Sequence, residues 1–119
     1  MAITLTYWKN KDVLNYDIVA YTSYKVPMRC VTNSMKHWNE LAPSAELGWL
    51  YRKMPIEEWG KRYVDELLSE HGKELERLAE CSDAGTFIQI LFLEEDKEDG
   101  ERKWLYEALR HYTNNVYIE

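Results

Sequence analysis

The chain has 119 residues, of which 45% are hydrophobic and 30% charged, values typical of a folded globular protein. Its formal net charge of −6 excludes a generally basic nucleic-acid-binding surface. No apolar run reaches the length of about 18 residues that a membrane-spanning helix needs. The composition is uniform and predicts a single domain over residues 1–119. Because residues 1–10 show no secretory signal, we expect a cytoplasmic location.

The cysteine and histidine spacings match no metal or redox motif. Cys30 and Cys81 fit two free thiols in a reducing compartment. The histidines at positions 37, 71 and 111 share no ligand spacing with each other or with a cysteine. We therefore expect no metal site and no cofactor.

The first third of the chain predicts two strands and a loop. Residues 3–8 alternate apolar and polar side chains, and residues 17–26 are rich in β-branched and aromatic residues. Pro27 ends the second strand. Residues 28–41 follow neither the helical nor the strand period and are interpreted as a loop, in which Trp38 argues against disorder.

Three helical segments follow, each with a recognisable start. A Pro-Ser pair at positions 43–44 opens a helix that reaches about position 52. Pro55, followed by two glutamates, opens a second helix whose apolar residues recur at helical spacing. Gly72 marks a break, after which a third helical segment extends to about Cys81.

The most apolar run of the chain, residues 86–93, predicts a strand buried on both faces in the middle of a parallel sheet. A charged stretch, residues 94–101, separates it from a periodic helix over residues 104–112, and residues 116–118 fit a final edge strand. This order predicts an α/β fold. We expect a small three-layer sandwich with a mostly parallel sheet of about four strands and helices on both faces.

Ligands of open parallel sheets bind beyond the carboxyl ends of the strands, so the loops there are candidate sites. Residues 1–56 hold seven Lys or Arg and four acidic residues, whereas the remainder holds eight and seventeen. The loop over residues 24–44 combines cations with aromatic rings, which suits a nucleotide or a single strand of nucleic acid. A rim of solvated cations over a packed aromatic core is the alternative. The candidate ligand-binding residues are Tyr7, Tyr24, Arg29, Trp38, Ser44 and Arg102.

The charged stretch 94–101 lies where a helix start usually attracts an anion, but its carboxylates repel phosphate. The sequence contains no glycine-rich phosphate-binding loop. A helix-loop-helix calcium site with Gly100 at its sixth position would need an oxygen ligand at position 97, which is a lysine. The stretch fits either a solvated charge run or a face that binds a basic protein surface. The candidate partner-binding residues are Glu94, Glu95, Asp96, Glu98, Asp99 and Glu101.

Several short motifs resemble the family called domain of unknown function 488. Residues 40–44 read Glu-Leu-Ala-Pro-Ser and precede Glu46 and Leu47, similar to the family's LAPS-x-EL stretch. Residues 57–63 are similar to its helix with an acidic start and an Arg-Tyr pair. With the two first strands and residues 90–109, the resemblance covers nearly the whole chain and implies an α/β fold.

The chain departs from this family after the apolar strand. Typical members carry a cysteine near the strand end and a Cys-His-Arg triplet at the helix start, whereas this chain has Phe92 and then Gly100, Glu101 and Arg102. If the family performs thiol chemistry there, this chain lacks the nucleophile.

The resemblance and the charge pattern favour a non-catalytic binding or accessory protein, of the kind that phages or mobile elements carry, with an acidic face toward a basic protein partner. We identify no catalytic residue. The alternative is a nucleotide- or nucleic-acid-binding or processing enzyme that uses the loop 24–44, with Arg102 on a phosphate. A third interpretation is a homodimer held by exposed Trp and Tyr side chains.

Overall fold

A central strand, β4 (Phe87–Phe92), organises the sheet. In the computed structural model, which describes residues 2–10, 15–22, 35–51, 53–92 and 101–119, β4 pairs with β1 (Ala2–Tyr7) on one side and β2 (Ile18–Tyr21) on the other. The edges are β3 (Met35–His37) and β5 (Val116–Ile118), and all pairings are parallel in the order β3-β2-β4-β1-β5. The predicted α/β fold is confirmed, with five strands where about four were expected.

The continuous apolar sequence of β4 corresponds to burial on both faces of the sheet. Of its six residues only Phe87, at the amino end, is exposed. Ile88, Ile90 and Phe92 belong to the main hydrophobic core. The intervening Gln89 and Leu91 alternate to the opposite face, where both are also buried.

Four α-helices accompany the sheet: α1 (Ala45–Leu50), α2 (Ile56–Glu70), α3 (Gly72–Asp83) and α4 (Glu101–Leu109). Helix α1 begins after Ser44, whose hydroxyl accepts the Leu47 N–H at 3.3 Å, as the Pro-Ser signal predicts. Helices α2, α3 and α4 contact one another. These three helices therefore form one layer over the apolar face of the sheet.

The opposite face carries buried polar side chains, namely Thr4, Thr6 and Gln89. The Asn10 side chain donates to Thr6 Oγ1 at 3.2 Å, and the Asn10 carbonyl accepts from Gln89 Nε2 at 3.4 Å. The Tyr16 hydroxyl donates to Thr4 Oγ1 at 3.2 Å. Helices were expected on both faces, but the part of this face that the structure describes is covered by a 3-10 turn and by the connection that leads into β2.

The segment interpreted as a loop contains regular structure and corrects that interpretation. Residues 35–37 form β3, and Asn39–Leu41 forms a 3-10 turn. Strand β3 forms by pairing with β2, with Val19 opposite Met35 and Tyr21 opposite His37. Three residues are too few for a strand period to show in the sequence. Residues 23–26 of the predicted second strand and residues 28–34 of the predicted loop lie outside the described residues.

Close packing of α2 on α4 at Gly60 gives a test of the helix layer. A Cβ atom at Gly60 would overlap the indole ring of Trp104. We expect Gly60→Ala to lower the free energy of unfolding by about 1–3 kcal/mol, measured by urea denaturation. Gly48→Ala in α1 is the matched control, because nothing lies within 4 Å of its added Cβ, and it should raise stability by up to about 1 kcal/mol. Equal effects of the two substitutions would contradict this packing.

Candidate functional site

The carboxyl ends of β2 and β3 meet the first turn of α4. Thr22, which follows β2, is fully buried, and its hydroxyl donates to Glu101 Oε1 at the start of α4. The ring of His37 packs against Tyr21 with 4.8 Å between centroids, and His37 Nε2 lies 3.2 Å from the Thr22 carbonyl oxygen. Ligands bind at this edge of open parallel sheets, so these residues define the candidate site.

The phenol of Tyr63, on α2, lies beside this edge and is fully buried. Its hydroxyl donates to the carbonyl oxygen of Leu41. Burial, followed by the negative charges of Glu101 and Glu66, raises the pKa of Tyr63 well above its usual value of about 10. Glu101 and Glu66 therefore lie close enough to this ring to disfavour its ionised form.

Arg102, predicted as a phosphate ligand, is held inside the fold. It is 2% exposed, one of its terminal nitrogens donates to the backbone oxygen of Glu119, and its guanidinium carbon lies 5.9 Å from the centre of the Phe92 ring. The bond to Glu119 ties α4 to the end of β5. A guanidinium buried in this way does not reach a phosphate in solvent, so the structure gives Arg102 a structural role.

Trp38, predicted to stack on a base, is buried in the same way. It is 3% exposed, and its Nε1 donates to Glu74 Oε1 at 2.6 Å, which connects the end of β3 to α3. Tyr7 is half-buried at the end of β1, where its ring meets the edge of Trp8 at 6.1 Å. Of the candidate ligand-binding residues Tyr7, Trp38 and Arg102, only Tyr7 is therefore partly exposed to solvent.

Ser44 also has a structural role, because its hydroxyl caps α1 and its backbone N–H donates to Glu66 Oε1 at 2.8 Å. Among the predicted partner-binding residues, Glu101 is placed at the candidate site. The remaining predicted site residues lie outside the described residues; they are Tyr24, Arg29, Glu94, Glu95, Asp96, Glu98 and Asp99.

The sequence analysis missed Thr22, His37, Tyr63 and Glu66 as residues of this edge. A usable signal existed for Tyr63, which shares a helical face with Trp59 and Leu67 and so places a phenol in the core. A buried phenol needs a hydrogen-bond acceptor, but the sequence did not indicate that the Leu41 carbonyl would supply it. Nothing in the sequence indicated the contacts of Thr22 and His37, which join distant segments.

Within the described residues, no group of three or more His, Cys, Asp and Glu side chains could hold a metal ion. No helix among them is long and apolar enough to cross a bilayer. Cys81 is a half-buried free thiol, and Cys30 lies outside these ranges.

Comparisons of the chain with protein-family models, with curated proteins and with solved structures found no match. The function therefore has to be inferred from the residues of this chain and from the geometry described above.

The raised pKa of Tyr63 predicts a loss of stability in alkali. The phenol ionises near pH 10 in the unfolded chain but stays protonated in the folded one, so its contribution is complete below pH 10 and is lost as the pH rises toward the folded pKa. Above pH 10 the free energy of unfolding should fall by about 1.4 kcal/mol per pH unit more in the wild type than in Tyr63→Phe. Urea denaturation between pH 7 and pH 11.5 measures both slopes. Tyr117→Phe, which removes an exposed phenol, should keep the wild-type slope.

The structural role of Arg102 is tested by measuring how its removal changes the free energy of unfolding. Because Arg102→Ala leaves a cavity and an unpaired backbone oxygen, we expect a loss of about 2–4 kcal/mol in the free energy of unfolding. Arg110→Ala, at the exposed end of the same helix, should change it by less than about 0.5 kcal/mol. Wild-type stability of Arg102→Ala in urea denaturation would contradict the structural role of Arg102.

Proposed function

We propose that this chain is a non-catalytic binding or accessory protein that engages a basic surface of a protein partner through an acidic face. The observation that carries the proposal is the excess of exposed carboxylates on α2 and α3, together with Glu101 at the carboxyl edge of the sheet. α/β proteins that bind phosphates place helix N-termini and cations at this edge. Carboxylates there repel a phosphate and attract a cation instead.

The outer surfaces of α2 and α3 extend the acidic character of this edge. Seven carboxylates are exposed between residues 57 and 83, against four exposed Lys or Arg side chains. Two of the cations already lie beside glutamates, in the pairs Arg62–Glu58 and Arg77–Glu74, each at 3.5 Å. The charged stretch 94–99 precedes Gly100 and Glu101 in the sequence and would add further carboxylates. We define the acidic face as this stretch, Glu101 and the exposed carboxylates of α2 and α3.

Burial of Arg102 and Trp38 supports the binding role over the nucleotide-binding or processing alternative. That alternative requires a guanidinium on a phosphate and an aromatic ring on a base. Both side chains are instead committed to bonds inside the fold, with Glu119 and Glu74 respectively.

The scaffold is proposed to be that of the domain of unknown function 488. The quoted motifs support the assignment, because the LAPS-x-EL stretch spans the start of α1 and the acidic helix start coincides with α2. On that scaffold, the replacement of the Cys-His-Arg triplet by Gly-Glu-Arg removes a thiol from the edge where α4 begins. A cytoplasmic accessory protein of a phage or mobile element is consistent with this proposal.

The proposed function is tested by identifying the partner and titrating it against charge variants. Cross-linking mass spectrometry with the full chain in cells identifies the partner, and calorimetry then measures Kd at 50 mM and 300 mM NaCl. We expect salt to weaken binding, and the variants Glu76→Gln/Glu80→Gln and Glu94→Gln/Glu95→Gln/Asp96→Asn each to weaken it about threefold to tenfold.

The matched control is Lys61→Gln/Lys73→Gln, which removes two exposed cations from the same helices and should bind as well as the wild type or better. Binding that is insensitive to salt and to both acidic variants would contradict the proposal. A saturable thermal shift with a nucleotide would favour the nucleotide-binding alternative instead.

A further inference from the structure

A groove of about 160 Å³ opens beside α3. Its walls come from the first part of β2 and β4, from Trp38 and from one side of α3, and they are mostly apolar. The groove is lined by Ile18, Trp38, Arg77, Leu78, Cys81 and Ile88. Apart from Trp38, whose Nε1 is held by Glu74, none of these residues takes part in the candidate site.

Arg77 is the charged side chain in this lining and lies at the solvent side of the groove. Its side chain is 64% exposed, and its ion pair with Glu74 spans 3.5 Å. The pair is half-buried on the glutamate side, because the Glu74 side chain is 18% exposed. Glu74 also accepts the Trp38 Nε1 hydrogen bond. A guanidinium has five N–H donors, so Arg77 can contact an anion in the groove while it stays beside Glu74.

The volume and the charge together specify the ligand. A cavity of about 150 Å³ with aliphatic and aromatic walls accepts a molecule of the size of benzene. We propose that the groove binds a small apolar carboxylate of about the size of benzoate. The apolar body packs between Ile18, Leu78 and Ile88, and the carboxylate pairs with Arg77. A ligand this small is expected to bind with a Kd of about 1 mM.

Cys81 provides a reporter inside the groove. Its thiol is free and half-buried in the groove wall, so an occupied groove shields it from alkylation. The experiment measures the rate of Cys81 alkylation by iodoacetamide with residue-resolved mass spectrometry. The full chain is treated without ligand and with 20 mM benzoate, benzyl alcohol or benzylamine at constant ionic strength. These three probes share a ring and differ in charge.

We expect benzoate to slow Cys81 alkylation about tenfold, benzyl alcohol to slow it less, and benzylamine to leave it nearly unchanged. Arg77→Gln should weaken the benzoate effect about twofold to fivefold. Arg62→Gln is the control, because Arg62 is an exposed helix arginine that also lies 3.5 Å from a glutamate, Glu58, but does not line the groove.

Equal protection by all three probes, no protection by benzoate, or equal behaviour of Arg77→Gln and Arg62→Gln would each overturn the proposal. The outcome is separate from that of the acidic face, since Arg77→Gln leaves every carboxylate of that face in place.

Discussion

Burial of β4 between two parallel neighbours is the constraint on which the rest of the structure depends. A strand with apolar side chains on both faces must be covered on both, and this chain does so in two different ways. Helices α2, α3 and α4 cover one face with apolar packing. Buried Thr4, Thr6 and Gln89 on the other face are satisfied by hydrogen bonds to Asn10 and Tyr16. Because all strands run in one direction, their carboxyl ends and the start of α4 meet at one edge.

This edge has the position of a phosphate-binding site in α/β proteins, but it carries the carboxylate of Glu101. Glu101 lies at the helix start, where the backbone of other α/β proteins binds phosphate. Its carboxylate accepts a hydrogen bond from Thr22. Together with Glu66 and burial, it raises the pKa of Tyr63. The neighbouring Arg102 is turned inward to Glu119. The proposed cationic partner would meet Glu101 at this edge and the exposed carboxylates of α2 and α3.

The groove beside α3 has the opposite chemistry, since its lining is apolar with one guanidinium at the solvent side. Glu74 connects the two regions. It holds Trp38 from the end of β3 and pairs with Arg77 of the groove, so one carboxylate fixes a core indole and positions a surface cation. The two proposals nevertheless depend on different side chains and fail independently.

Local sequence determined the helices and strands that have a clear apolar run, a repeated helical spacing or a capping residue. The apolar run of β4, the spacing of Trp59, Tyr63 and Leu67 on α2, and the Ser44 cap of α1 each act within a few residues, and each element was predicted correctly. The acidic character of the second half is likewise a property of composition.

The tertiary structure decided which of the candidate side chains are exposed to a ligand and which are bonded inside the fold. Strand β3 exists through its register with β2, and Trp38 and Arg102 become structural because they meet Glu74 and Glu119. Thr22 and Glu101 form one contact across 79 residues of chain. Periodicity and capping report only on near neighbours, whereas burial and partner choice follow from how the sheet brings distant segments together.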